Sequence, residues 1–251
     1  MLEIIVLSLI QGITEFIPVS SSSHLIIVSE FLNFTKENLL TNISLHIGSF
    51  VAVIIFFRHE IKNFFKYKKL FFLILVSSIP VLSLGLFLVK FEIINHLRVV
   101  KIIGWTTLIF GILLFISDKS KSSKKLDNFD LRSAIIIGLF HALSLIPGVS
   151  RSGIAITFGR FLGFNRVDSA KISFLLSVPV LLVISLYGFY NLHEIENISI
   201  KQINFIAILL SGVFSYFTIV FFLKFLKRFD LIVFVIYRII LGFVLLCFSY
   251  L

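Results

Sequence analysis

Two polar segments interrupt an otherwise apolar chain and gather residue types that can bind or attack a phosphate: QGITEFIPVSSSSH at 11–24 and PGVSRSG at 147–153. Glu15 follows Gln11 by four residues, so carboxylate and amide share one helical face. Two such oxygens suit a hard divalent cation, Mg²⁺ or Ca²⁺, that bridges to phosphate. The plainer role for Glu15 is a helix cap or an ion pair with Arg151. The serine run at 20–23 opens a returning helix, where free backbone N–H groups and the helix dipole attract anions. Ser20 and Ser21 also offer nucleophilic hydroxyls, with His24 in reach for proton transfer, although serine at a helix start is otherwise an ordinary cap. In the second segment Arg151 is flanked by Gly148, Ser150, Ser152 and Gly153, a composition suited to bidentate phosphate binding. Carboxylate, hydroxyls and imidazole on one side and guanidinium with backbone donors on the other describe a diphosphate or oxyanion site. Arg238 reads as a buried cation that pairs with Glu15, with substrate or with backbone carbonyls, and His46 and His141 read as satisfied core histidines.

The elements that position these segments are apolar helices. Of 251 residues 58% are hydrophobic, and the mean hydropathy is +1.08. A soluble domain has roughly 45–50% apolar residues. Apolar runs repeatedly reach the ~20 residues that cross a ~30 Å hydrocarbon core, and the strict alternation of a membrane β-barrel is absent. The net charge of +10 comes from basic clusters between apolar runs, which is the positive-inside pattern and not a nucleic-acid surface. MLEIIVLSLI at the start has no basic leader region and is expected to remain in the mature protein. The single cysteine, Cys247, excludes an internal disulfide or a CxxC metal site.

The chain repeats itself. IPVSSSSHLIIVSEFLNF at 17–34 matches IPGVSRSGIAITFGRFLGF at 146–164, with Gly148 as a one-residue insertion, and the offset of roughly 130 residues persists downstream. The expectation is one membrane domain, 1–251, built from two repeats of about 1–120 and 130–251 joined by a cytoplasmic linker at 118–130. Continuous spans are expected at about 42–58, 70–89, 98–117, 168–190, 203–223 and 231–250. The segments at 2–17 and 133–146 break at Pro18 and Pro147 and form re-entrant helical hairpins. Three spans per repeat invert the second repeat relative to the first. The fold class is therefore all-α: about six transmembrane helices plus two re-entrant hairpins in an inverted-topology repeat. Arg58, Lys62, Lys66, Lys68, Lys69, Lys119 to Arg132, Lys224, Lys227 and Arg228 mark the cytoplasmic side, and Glu3, Glu30, Glu37, Glu92, Glu194 and Glu196 the outer side. The first hairpin then opens outward and the second toward the cytoplasm.

These two segments, in this order, resemble the signatures of the undecaprenyl-diphosphate phosphatase family of the bacitracin-resistance type, and the resemblance covers essentially the whole chain. It implies hydrolysis of undecaprenyl diphosphate to the monophosphate and inorganic phosphate, which recycles the lipid carrier of cell-wall synthesis. It also implies divalent-cation dependence and a site facing the outer side of the cytoplasmic (inner) membrane. By position, the family's E/Q-x-x-x-E element falls on Gln11 and Glu15, its serines on Ser20 and Ser21, its histidine on His24, and PG-x-SRSG on Pro147 through Gly153. Gln11 leaves Glu15 as the single acid, Ser22 and Ser23 stand where relatives often have Thr-Gly or Ser-Gly, and Ala155 lacks a common hydroxyl, for which Thr157 is the available substitute. Ser21 is the candidate nucleophile, Ser20 the second, and water activated by Glu15 or His24 the main alternative. The implied partners are a polyprenyl diphosphate and membrane lipids, with a homodimer left open and nucleic acid excluded. The rival reading is a lipid flippase or transporter, since inverted repeats with broken helices also build transporters.

Overall fold

The computed structural model describes residues 1–35, 38–64, 68–193 and 197–250, so Glu37, Lys66, Glu194 and Glu196 of the charge argument lie outside the described residues. The elements in order are α1 (Leu2–Thr14), α2 (Ser21–Phe31), α3 (Leu39–Phe56), α4 (Arg58–Phe64), α5 (Lys68–Lys90), α6 (Ile93–His96), α7 (Val100–Asp118), α8 (Leu131–His141), α9 (Arg151–Phe161), α10 (Arg166–His193), α11 (Ile198–Leu226) and α12 (Ile232–Tyr250). Among the described residues there is no β-strand, and six helices, α3, α5, α7, α10, α11 and α12, are long and apolar enough to cross a bilayer. Their outward faces carry large apolar side chains: Leu86, Phe221 and Phe243 are 69%, 62% and 63% exposed. Water would not tolerate so continuous an apolar surface, and lipid does. The protein is an all-α, multi-pass membrane protein.

The remaining two pairs are too short to cross. α1 has 13 residues and α2 has 11, and at 1.5 Å per residue each spans less than ~20 Å. Phe34, just beyond α2, packs in the same cluster as Ile4 near the start of α1. Likewise Phe129, just before α8, meets Phe164, just after α9, with ring centroids 6.1 Å apart. Each pair therefore begins and ends at one end of the molecule, as a hairpin.

The packing is reciprocal. α1 lies against α11 while α8 lies against α5, and α3 pairs with α10 as α7 pairs with α12. A close crossing joins α3 to α11, where a Cβ on Gly48 would strike the carbonyl of Ile208 and come within 2.7 Å of the backbone nitrogen of Gly212. Small residues let membrane helices approach closely where burial from water supplies no drive. Inside the bundle Phe16, Phe57, Phe174 and Phe222 share one buried cluster, and Phe16 meets Phe174 edge-on at 5.2 Å. That contact anchors the residue next to Glu15. The segment joining α7 to α8 is stitched to the α9–α10 junction: the N–H groups of Ser123 and Lys124 both donate to the carbonyl of Gly163, at 3.1 and 2.9 Å.

Candidate active site

The two hairpin tips share one unusual backbone geometry. Ser20 has φ 75° and ψ 96°, and Ser150 has φ 71° and ψ 116°. Positive φ costs a side-chain-bearing residue roughly 1–3 kcal/mol, so two serines held this way at matching positions mark the same turn built twice. The turns then differ in their caps. The Ser150 hydroxyl accepts from the Gly153 N–H at 3.1 Å, whereas Ser20 gives α2 no side-chain cap. The first N–H groups of α2 therefore have no side-chain cap from Ser20.

The tips meet. Gly148 N–H donates to the Ser20 hydroxyl at 3.3 Å, and the Ser152 hydroxyl donates to the Ile17 carbonyl at 2.8 Å. Arg238, fully buried, fastens the junction: its guanidinium donates to the carbonyls of Pro18 (3.1 Å), Gly148 (2.8 Å), Val149 (3.1 Å) and Thr107 (3.2 Å). Of the roles open to it, the backbone-carbonyl one is the one seen. Gly148 is required where it stands, because at φ 93° a Cβ would collide with the Thr106 hydroxyl.

At the junction Arg151 of the second tip forms an ion pair with Glu15 Oε1 of the first. The other carboxylate oxygen, Oε2, accepts from the Ser21 hydroxyl at 2.5 Å and from the Gln11 amide at 2.9 Å. Glu15 is buried, 5% exposed, at the wall of a cavity of about 270 Å³ that Ser21, Ser150, Arg151 and His46 also line. Val81, Val180, Leu181 and Ile184 give the same cavity an apolar wall. A charged group and an alkyl chain can therefore occupy it together.

Not every expected residue converges here. The His24 imidazole is not on Ser21: its Nδ1 is 2.7 Å from the Ser20 carbonyl, its Nε2 is 2.5 Å from the Tyr237 hydroxyl, and its ring stacks on Tyr237. A carbonyl only accepts, so Nδ1 carries the proton. Gly148, Ser152 and Gly153 serve the junction and do not line the cavity, and Ser20 lines it with its hydroxyl engaged by Gly148 and Ser23. Thr157 does not replace the hydroxyl missing at Ala155, because it is buried and donates to the Gly153 carbonyl at 2.8 Å. His141 is buried as expected but is not satisfied, since neither ring nitrogen has a partner among the described residues.

Two residues join the site unannounced. His46, read as a core histidine, places Nδ1 at 2.9 Å from the Gln11 amide and 3.6 Å from Glu15 Oε1. An ionisable residue at membrane depth is itself a functional signal, and His46 carries that signal in the sequence. Arg98, in the stretch between α6 and α7, lines the cavity from outside both tips. No spacing relation in the sequence ties it to either motif.

The family model described as "Bacitracin resistance protein BacA" matches residues 4–244. The chain belongs to the BacA family. BacA relatives named undecaprenyl-diphosphatase include that of Pelagibacter ubique, 45% identical over 99% of this chain and 98% of the relative. Those of Saccharophagus degradans and Hahella chejuensis are each 39% identical, over 96% and 99% of this chain and 95% and 98% of the relatives. The divalent cation expected of the BacA family can be tested against the residues present. Gln11 Oε1 is a buried acceptor without a partner among the described residues, one side chain away from the Glu15 carboxylate. Oxygen donors, one of them anionic, suit a hard cation that completes its shell with phosphate and water. The donor set fits.

Proposed function

We propose that this chain hydrolyses undecaprenyl diphosphate, or a closely related polyprenyl diphosphate, to the monophosphate and inorganic phosphate. The observation that carries the reading is the Ser21–Glu15–Arg151 chain: nucleophile, base and phosphate-binding cation in one cavity, drawn from two hairpin tips. The family's named activity agrees with it. Ser21 Oγ attacks the terminal phosphorus while Glu15 takes the hydroxyl proton. The bridging P–O bond breaks and the lipid leaves as the monophosphate, taking with it the proton that Glu15 received. Water then attacks the phosphoserine, its proton returns through Glu15 to the Ser21 oxygen, and inorganic phosphate departs.

Arg151 has five donors and shares them between Glu15 and the equatorial phosphate oxygens, offsetting charge as the bond breaks. The uncapped N-terminus of α2 binds the same anion. A divalent cation held by Glu15 and Gln11 would supply further neutralisation of the diphosphate. Arg98 adds the only cation lining the cavity, among the described residues, that is not in an ion pair. His24 holds the first tip through Ser20 and Tyr237, so a positioning role is favoured over the proton-transfer role expected for it.

The same reading places the chain in the cytoplasmic (inner) membrane as an inverted repeat, its hairpins re-entrant and its cavity open to the outer side. Support comes from the basic residues gathered at the opposite end, around Lys68, Asp118 and Leu226. The deciding experiment for the chemistry is trapping: wild type quenched during turnover should carry phosphate on Ser21. Turnover that survives Ser21→Ala but not Glu15→Gln would instead assign the attack to water.

A further inference from the structure

The end of the molecule remote from the candidate active site holds a second polar cavity, open and of about 580 Å³, where α7 and α11 end and α10 begins. Four cationic side chains line it, those of Lys121, Arg160, Arg166 and Lys227, against a single carboxylate, Asp118. That carboxylate is already engaged. Arg166 donates to both of its oxygens at 2.7 and 3.0 Å, Arg160 Nε lies 3.4 Å away, and the Leu231 N–H donates to Oδ2 at 3.0 Å. The terminal nitrogens of Arg160 are engaged too, on the carbonyls of Phe164, Asp118 and Ser120. Of the nearby acids, Asp230 is exposed and accepts from the Ile232 N–H at 3.2 Å, and Asp168 faces Asn165 at 2.6 Å and Lys171 at 3.8 Å.

Lys121 and Lys227 are therefore left over. Both are exposed, and neither has an anionic partner among the described residues. The hydroxyl-bearing residues Ser120 and Ser122 stand beside them, and Val167 and buried Leu226 supply apolar lining. Asp118 and Arg166 are end residues of membrane-crossing helices, so the cavity lies at the depth of lipid headgroups.

We propose that this cavity binds the phosphate headgroup of an anionic glycerophospholipid, with Lys121 and Lys227 as its free cations and the Asp118–Arg166–Arg160 cluster as its rigid floor. The chemistry is that of basic pockets between transmembrane helices on the positively charged side, which select anionic headgroups. Val167 and Leu226 favour a lipid over free phosphate, because an apolar lining gives an acyl chain contact that a bare anion cannot use. The proposal does not depend on the phosphatase reading.

The test uses delipidated full-length protein in detergent, titrated with phosphatidylglycerol or phosphatidylcholine and read by native mass spectrometry. Wild type should retain phosphatidylglycerol over phosphatidylcholine. The double variant Lys121→Gln/Lys227→Gln should bind phosphatidylglycerol roughly 30-fold more weakly, as expected for two lost charges at a headgroup site, with an unchanged melting temperature and unchanged turnover in lipid-free detergent. Equal retention of the two lipids by wild type overturns the proposal, as does undiminished phosphatidylglycerol retention by the variant. A wild-type melting shift with millimolar inorganic phosphate, lost in the variant and without any lipid preference, also overturns it in favour of a soluble anion. Should the double variant fold poorly, Lys121→Gln and Lys227→Gln singly should each give part of the loss.

Discussion

At the scale of single residues, Glu15 organises the site through both of its oxygens. One pairs with Arg151 and the other accepts from Ser21 and Gln11. Glu15→Gln keeps the shape and removes the proposed base, and should lower kcat by roughly 10²–10⁴-fold with the protein still folded, as checked by phosphate release and melting temperature together. Arg98 belongs to a different class. It is exposed at the cavity and would meet substrate as a loosely held charge. An exposed pair contributes about 1 kcal/mol at most, so Arg98→Gln should raise KM roughly fivefold while kcat stays near wild type; a kcat loss with unchanged KM would contradict that role. These two residues also measure how far the sequence could be read. Glu15 declared itself by an i, i+4 relation to Gln11 inside an apolar helix. Arg98 reaches the cavity from a separate stretch of chain, so only the folded arrangement reveals it. The pairing of His24 was equally out of reach, because its partner Tyr237 lies 213 residues away.

At the scale of elements, the hairpins were legible because proline, glycine and serine are conspicuous where the neighbours are Ile, Leu and Phe. Pro18 and Pro147 end their helices near where expected: α1 closes at Thr14, and α8 runs to His141 before a short 3₁₀ turn, Ala142–Leu145. The clamp that makes the tips face each other was only half legible, since a buried arginine can be satisfied by an acid, a ligand or carbonyls. Arg238 is bonded to four carbonyls from three segments. Removing it leaves buried acceptors unpaired at roughly 1–3 kcal/mol each, so Arg238→Ala should lower the melting temperature and abolish phosphate release together. Arg238→Lys should rescue little, because an ammonium lacks the planar fork that reaches both tips. Gly48 tests a different junction. Gly48→Val forces side-chain atoms into the α11 backbone near Ile208 and Gly212, and thermal unfolding in detergent should show a loss exceeding that of Gly48→Ala.

At the scale of the whole molecule, six helices long and apolar enough to cross a bilayer and two shorter hairpins place a polar cavity within an apolar bundle, with many basic residues at the far end. Composition made the apolar bundle readable, because lipid demands apolar exteriors. The proposed orientation is checked with introduced thiols in a Cys247→Ser background. A membrane-impermeant maleimide added to intact spheroplasts should label Lys201→Cys, near the start of α11, and leave Lys125→Cys, in the α7–α8 connection, unlabelled until the membrane is opened. The central claim is that two hairpin tips meeting in the membrane form a hydrolytic diphosphate site. It is tested most directly by giving purified protein undecaprenyl diphosphate with Mg²⁺ or Ca²⁺ and measuring inorganic phosphate. The account predicts release by wild type and a loss of at least roughly 100-fold in folded Arg151→Ala; no release by folded wild type, or undiminished release by Arg151→Ala, would contradict it.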